Sequence, residues 1–137
     1  MLNLNQNLKK RENFQPLAPI LLEEDFEKYF SINKSIVKNL EWMGTLCDAK
    51  DELYKEYSSI IHVDGTCRAQ IIRDKDSLTY KVLSNLKKSG TDILVNTSFN
   101  ISKDPVVFDL FDVYVNMKRM NIKYVLMDDG LYETKDV

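Results

Sequence analysis

The stretch that most limits what this chain can become is Thr91-Asp92-Ile93-Leu94-Val95-Asn96-Thr97-Ser98-Phe99-Asn100. An apolar run follows the breaker pair Ser89-Gly90 and stops abruptly at hydrogen-bonding side chains set around one phenylalanine. Ile93, Leu94 and Val95 predict a short interior strand that delivers a polar cluster, although periodicity alone does not separate such a run from buried helix. Apolar stripes at helical spacing stand on either side of it. Before it, Thr79, Val82, Leu83 and Leu86 form one stripe, with Asp76 placed to cap its start and Gly90 where a helix end favours a left-handed residue. After it, a second helix starting near Asp109 carries Leu110, Val113, Tyr114, Met117 and Met120, and I-K-Y-V-L-M-D-D-G-L-Y-E-T predicts a strand and hairpin that turn at Asp128-Asp129. Alternation of this kind predicts an α/β fold with a mostly central sheet and helices on its faces.

The first half is read with the same rules. P-L-A-P-I-L-L predicts a strand that leads into E-E-D-F-E-K-Y-F, where Phe26, Tyr29 and Phe30 share one face of a short helix. Residues 31 to 57 are the least legible; they are assigned a strand around Leu40 to Leu46 and a charged helix around Ala49 to Tyr57. I-I-H-V, the Asp64-Gly65 turn and C-R-A-Q-I-I-R predict two strand segments joined at that turn. With 137 residues, 44% of them hydrophobic, the chain suffices for a single compact domain.

Composition excludes several classes of function. Nineteen basic against twenty-one acidic residues leave a net charge of -2, so no bulk attraction draws the chain to nucleic acid or anionic membrane. Any anion site must be local. No apolar run reaches the roughly 18 to 20 residues of a membrane span, and the polar start M-L-N-L-N-Q-N-L-K-K-R-E lacks the apolar core of a signal peptide, so the expected address is the cytoplasm. Cys47 and Cys67 have neither a second pair nor a histidine at ligand spacing, so they read as ordinary reduced cysteines and no metal site is expected.

Two motifs carry the candidate chemistry. Ile61-His62-Val63-Asp64-Gly65-Thr66-Cys67-Arg68 and the Asn96 to Asn100 cluster both fall at strand ends, where open α/β sheets place their ligand crevices, and together they read as one site. Arg68 offers a planar fork for phosphate or carboxylate, Thr66 and Ser98 offer hydroxyls, and Asn96 and Asn100 offer amide hydrogens. The plain alternative stays open: a turn at Asp64-Gly65, a solvated Arg68, and a loop of Asn, Thr and Ser side chains capping its own backbone. His62, the sole histidine, suits acid-base work or a structural place. Lys9, Lys10 and Arg11 suit a phosphate clamp or a solvated charge run.

The ordered set K-K-R-E-N-F-Q-P-L-A-P, H-V-D-G-T-C-R-A-Q, N-T-S-F-N and D-P-V-V resembles the C-terminal domain of the O-carbamoyltransferases of nodulation-factor and antibiotic biosynthesis. The similarity runs from about Asn5 to Leu131, with residues 31 to 57 matching poorly. It implies a YrdC-like fold, a twisted mixed sheet flanked by helices, over residues 1 to 137. The activity it implies is binding of ATP, with Mg²⁺ carried by the nucleotide, together with carbamoyl phosphate, and formation of carbamoyladenylate. A separate metal-containing transfer domain or subunit of the actin-like ATPase type, outside these residues, then passes the carbamoyl group to a hydroxyl. By that resemblance Lys9, Arg68 and Ser98 are the catalytic residues. Arg11, His62, Asp64, Thr66, Asn96, Thr97 and Asn100 bind substrate or nucleotide, and Glu12 and Gly65 complete the motifs.

This sequence departs from the family pattern at Gln15, where the family usually has arginine, and at Lys103-Asp104, where it has glycine-glutamate. The first change removes a cation and the second a flexible backbone position. A non-catalytic nucleotide-binding or interaction module built on the same fold is the alternative reading.

Overall fold

The computed structural model describes residues 3–12 and 14–135, except the side chain of Asn3. They belong to two compact units, Pro16–Thr97 and the paired segments Met1–Gln15 and Ser98–Val137. Helices and small sheets are mixed throughout, so the fold is α/β as expected.

In the Pro16–Thr97 unit, strand β1 (Ala18–Leu22) runs through a short 3-10 turn into helix α1 (Phe26–Tyr29) and strand β2 (Phe30–Ser31). Strand β3 (Cys47–Ala49), helix α2 (Asp51–Tyr57), and strands β4 (Thr66–Cys67) and β5 (Gln70–Ile72) follow. Helix α3 (Leu78–Lys87) and strand β6 (Ile93–Asn96) complete the unit. The central β1 pairs in parallel with β5 and antiparallel with β6, giving the mixed sheet the resemblance implied. Pro19 is tolerated in this central strand because pairing with β5 begins only at Ile20, beyond the residue that lacks an N–H to donate. Both faces of the sheet are covered. Ile20 and Leu22 pack with Leu83 of α3, while Leu21, Ile71 and Ile93 are buried on the other side, which accounts for runs that are apolar without alternation. Strands β2, β3 and β4 form a separate antiparallel sheet in which Cys47 lies opposite Cys67.

A buried polar junction locks α1, α2 and the approach to β6. The Asp92 carboxylate accepts hydrogen bonds from the hydroxyls of Tyr29 (2.7 Å) and Tyr57 (3.1 Å) and from the Lys28 ammonium (3.0 Å). Burial alone would raise the Asp92 carboxyl, but the bonds from Tyr29, Lys28 and Tyr57 outweigh it together and hold it below its ordinary value.

Three local expectations need correction. Residues 34 to 42 form a 3-10 helix, Lys34–Trp42, rather than leading into a strand at Leu40; the Asn33 side chain caps it by accepting from Ser35 N, and Met43 ends it in the left-handed region at φ 52. Ile61, His62 and Val63 form no strand, because His62 N donates to Thr66 O and His62 O accepts from Gly65 N across the turn, using groups that a ladder would need. Helix α3 is capped by Ser77, whose hydroxyl accepts from Tyr80 N, and not by Asp76. The serine side chain reaches the exposed amide at the third position, as an N-cap requires.

The other unit opens with a π-helical segment, Asn3–Lys9. Helix α4 (Leu110–Arg119) is capped by Asp109, which accepts from Asp112 N, and the strands β7 (Tyr124–Met127) and β8 (Gly130–Glu133) make a hairpin turning at Asp128-Asp129. Ile101, Met117 and Met120 are buried within it. Among the described residues no helix is long and apolar enough to cross a membrane.

Candidate functional site

The motif N-T-S-F-N is divided at its centre. Asn96 and Thr97 belong to one unit, and Ser98, Phe99 and Asn100 to the other. In the latter, Lys9 ends the π-helical segment, and its backbone carbonyl accepts from Ser102 N at 2.8 Å. Its side chain is buried. Lys9 Nζ donates to Asn100 Oδ1 (3.0 Å), to Ser98 Oγ (3.3 Å) and to the Ser98 carbonyl. Ser98 Oγ in turn donates to Asn100 Oδ1 at 2.6 Å, and Asn100 Nδ2 donates to the Asp104 carbonyl at 2.6 Å. Residues 89 and 91 positions apart in the chain are thus joined around one ammonium.

Every acceptor bonded to Lys9 is neutral, so its charge is oriented but not cancelled. Burial, and secondarily the nearby Arg11 guanidinium, push its pKa below the ordinary lysine value. Arg11 Nε donates to Asn5 Oδ1 at 2.8 Å, while its Nη2 is buried without a partner. Neither cation enters an ion pair among the described residues. Two neighbouring cations, one with an unused buried N–H group, make an electrostatic arrangement that an anion would relieve. Phosphate or carboxylate oxygens have the geometry and charge to do so.

In the Pro16–Thr97 unit, the loop preceding β4 is held by its own side chains. Thr66 Oγ1 donates to Asp64 Oδ1 (2.7 Å), Thr66 N donates to the same oxygen (3.0 Å), and His62 Nδ1 lies 3.0 Å from Thr66 Oγ1. These bonds from Thr66 lower the Asp64 pKa. Gly65, at φ +83, lets the turn close against α2, where an added Cβ would stand 2.9 Å from the Tyr54 hydroxyl. Arg68 is exposed, and no bond joins it to another side chain among the described residues. Cys67 beside it is a free buried thiol, pushed up to about 12 chiefly by burial, and Cys47 opposite is pushed up to about 11.

At the end of β6, Asn96 Nδ2 donates to Gln70 Oε1 of β5, and Gln70 Nε2 donates to the Glu41 carbonyl at 3.0 Å. Beside this pair a cleft of about 380 Å³ is walled by Ile20, Leu94, Thr79 and Thr97. The sequence motifs did not single out Gln70 or Asn5. Gln70 had a signal, since a polar residue stands there directly before Ile71-Ile72; buried Asn5, which holds Arg11, had none, since nothing in the sequence separates it from neighbouring Asn3 and Asn7.

Structure and site together define an α/β protein in which a buried Lys9 and a half-buried Arg11 lie close together with no ion pair among the described residues. A family model described as Carbamoyltransferase C-terminus matches residues 1–134, and the chain belongs to this family. It is 33% identical over 111 residues to nodulation protein NolO of Bradyrhizobium diazoefficiens and 32% identical over 111 residues to nodulation protein NolNO of Sinorhizobium fredii; each match covers 80% of this chain. It is also 25% identical over 128 residues, 92% of this chain, to the 3'-hydroxymethylcephem-O-carbamoyltransferase of Amycolatopsis lactamdurans. The matched segments span 20%, 16% and 24% of those proteins respectively.

Proposed function

We propose that this chain binds ATP and carbamoyl phosphate, that water splits carbamoyl phosphate into carbamate and inorganic phosphate, and that a carbamate oxygen then displaces pyrophosphate from the α-phosphorus of ATP to form carbamoyladenylate, for O-carbamoyl transfer by a separate metal-containing domain or subunit. The observation that carries this reading is the Lys9 ammonium, buried and aimed by Ser98 and Asn100 beside an Arg11 nitrogen that has no bond of its own. Donors fixed in advance cost no reorganisation when charge builds on a transferring phosphoryl group, so they act on the transition state as well as on binding. Lys9 and Arg11 would neutralise phosphate oxygens, and Ser98 and Asn100 would hold Lys9 and bond the carbamoyl oxygen. Mg²⁺ would arrive on the phosphates, as that ion commonly does. Exposed Arg68 is free to meet a ligand carboxylate or phosphate without first breaking an ion pair. We place the reaction in the cytoplasm.

The rival reading, a non-catalytic nucleotide-binding or interaction module, draws on Gln15, which leaves one cation fewer than the family pattern supplies. Calorimetry with ATP-Mg and with carbamoyl phosphate separates the two. The expected affinities are micromolar to millimolar, about -8 to -4 kcal/mol, and Lys9→Ala and Arg68→Ala should each weaken binding by about 1.5 to 3 kcal/mol. Arg73→Ala should leave binding unchanged, because Arg73 is committed to Glu23 and Glu41. No binding of either ligand at several millimolar would remove the proposal, and equal losses at Arg68 and Arg73 would show that only net charge matters.

A further inference from the structure

The Lys9 side chain has the surroundings of a nucleophile as well as those of a cation. It is only 3% exposed, yet its three acceptors, Ser98 Oγ, Asn100 Oδ1 and the Ser98 carbonyl, carry no charge that would hold its proton in place. Lys28 and Lys87 show the opposite arrangement, since hydrogen bonds to Asp92 and to Asp25 raise them. Lys9 is pushed down, first by burial and then by the Arg11 guanidinium. Removal from water and a neighbouring cation are the two means by which a lysine amine is freed of its proton near neutral pH. The amine is not sealed. Ser98 is exposed, and its hydroxyl makes the longest of the three bonds, at 3.3 Å. A reagent arriving from that side displaces the weakest contact. Burial of the remaining side chain limits the reagent to a few atoms and favours one without charge.

We infer that Lys9 is a site of carbamoylation, its uncharged amine adding to isocyanic acid, HN=C=O, to leave a neutral urea in place of the ammonium. The amine nitrogen forms a bond to the isocyanate carbon, the carbon–nitrogen π bond opens, and one amine proton passes to the isocyanate nitrogen. Every atom is kept, and no oxidant or leaving group is involved. The urea still has N–H groups for Ser98 and Asn100 but no charge to offer a phosphate. Carbamoyl phosphate is itself a source of the reagent, because its elimination gives isocyanic acid and hydrogen phosphate. That source, and the loss of anion binding after modification, rest on the function proposed above; the reactivity of Lys9 does not.

The test treats the folded protein with potassium cyanate at neutral pH and follows each lysine by site-resolved mass spectrometry. Lys9 is expected to gain one HNCO about fivefold faster than its exposed neighbour Lys10. In the chain unfolded by guanidinium chloride the two should react at one rate, because the burial that frees Lys9 of its proton is gone. Asn100→Asp, shown by circular dichroism to be folded, puts a carboxylate where Asn100 Oδ1 stands 3.0 Å from the ammonium, and should slow Lys9 to no more than the rate of Lys10. Equal rates at Lys9 and Lys10 in the folded protein would overturn the inference. So would an excess at Lys9 that survives unfolding, which belongs to the local sequence alone, or one that Asn100→Asp leaves unchanged. If Asn100→Asp does not fold, the comparison of folded and unfolded wild type decides by itself. Selective modification of a protein that calorimetry shows not to bind carbamoyl phosphate would count against the proposed function and leave this inference standing, whereas binding without selectivity would count against this inference alone.

Discussion

Removing the Asp92 carboxylate should strip three bonds from a junction in which Tyr29 has no solvent access to replace them. In Asp92→Ala the buried Tyr29 hydroxyl still accepts from the Lys28 ammonium but has only the Glu56 carboxylate, at a long 3.4 Å, to donate to, and Lys28 and Tyr57 lose their shared acceptor. A buried hydroxyl whose donor is left poorly satisfied costs about 1 to 3 kcal/mol and a bond to a charged group is worth about 1.5 to 3 kcal/mol, so a loss of about 3 kcal/mol is expected. At about 3 to 5 °C per kcal/mol for a domain of this size, the melting temperature should fall by about 10 to 15 °C. Asp92→Asn keeps an acceptor of the same shape without its charge and should lose about half as much.

The pH dependence follows from the sign of the shift. A carboxyl held below its ordinary value stabilises the fold fully above the unfolded pKa of about 3.9, and the contribution disappears as pH falls through the lower folded value. The gap between wild type and Asp92→Ala should therefore be constant from about pH 5 to 7 and should narrow below about pH 4. Urea titrations at pH 7 and pH 3 check both points. A loss under about 1 kcal/mol at pH 7, or a gap equally wide at pH 3, would refute the reasoning.

Lys103 stands in the left-handed region at φ +73, so Lys103→Gly should raise stability by about 0.5 to 1 kcal/mol in urea titration, the relief of strain being partly offset by a freer unfolded chain. Gly65→Ala should lower it by more than about 1 kcal/mol, since the new methyl group would meet the Tyr54 hydroxyl at 2.9 Å in a backbone conformation that alanine disfavours; a neutral result would mean that the turn relaxes. Gln15→Arg should speed pyrophosphate release from ATP in the presence of carbamoyl phosphate by about tenfold, equivalent to about 1.4 kcal/mol of transition-state stabilisation. A coupled pyrophosphate assay on both proteins reads this change, and a fast wild type unaffected by the substitution would mean that another group supplies the charge.

Elements whose ends are written in local chemistry were legible in the sequence. Asp109 and Gly90 mark helix ends, Asp128-Asp129 marks the hairpin turn, and the run ending at Asn96 marks a strand, each signal lying within a few residues of its effect. Residues 31 to 57 failed for the opposite reason. Leu40 is buried by tertiary packing, and nothing near it in the sequence separates a strand from the 3-10 helix that Asn33 caps. The site divides similarly: the polar types at Lys9, Ser98 and Asn100 could be read from motifs, but their junction depends on a chain path of some ninety residues. The role of Asn5 in restraining Arg11 could not be read at all, because it depends on backbone coiling between them.

The facing thiols of β3 and β4 give the protein an internal clock. With Cys47 at about 11 and Cys67 at about 12, an alkylating reagent at pH 8 finds no more than about one thiol in a thousand ionised while the sheet is closed, and must also reach a buried sulfur. Once the sheet opens, both thiols return to ordinary reactivity, so the rate at which label accumulates counts the openings of the β2–β3–β4 sheet one molecule at a time. Because the chain has only these two cysteines, that count can be taken without introducing any substitution.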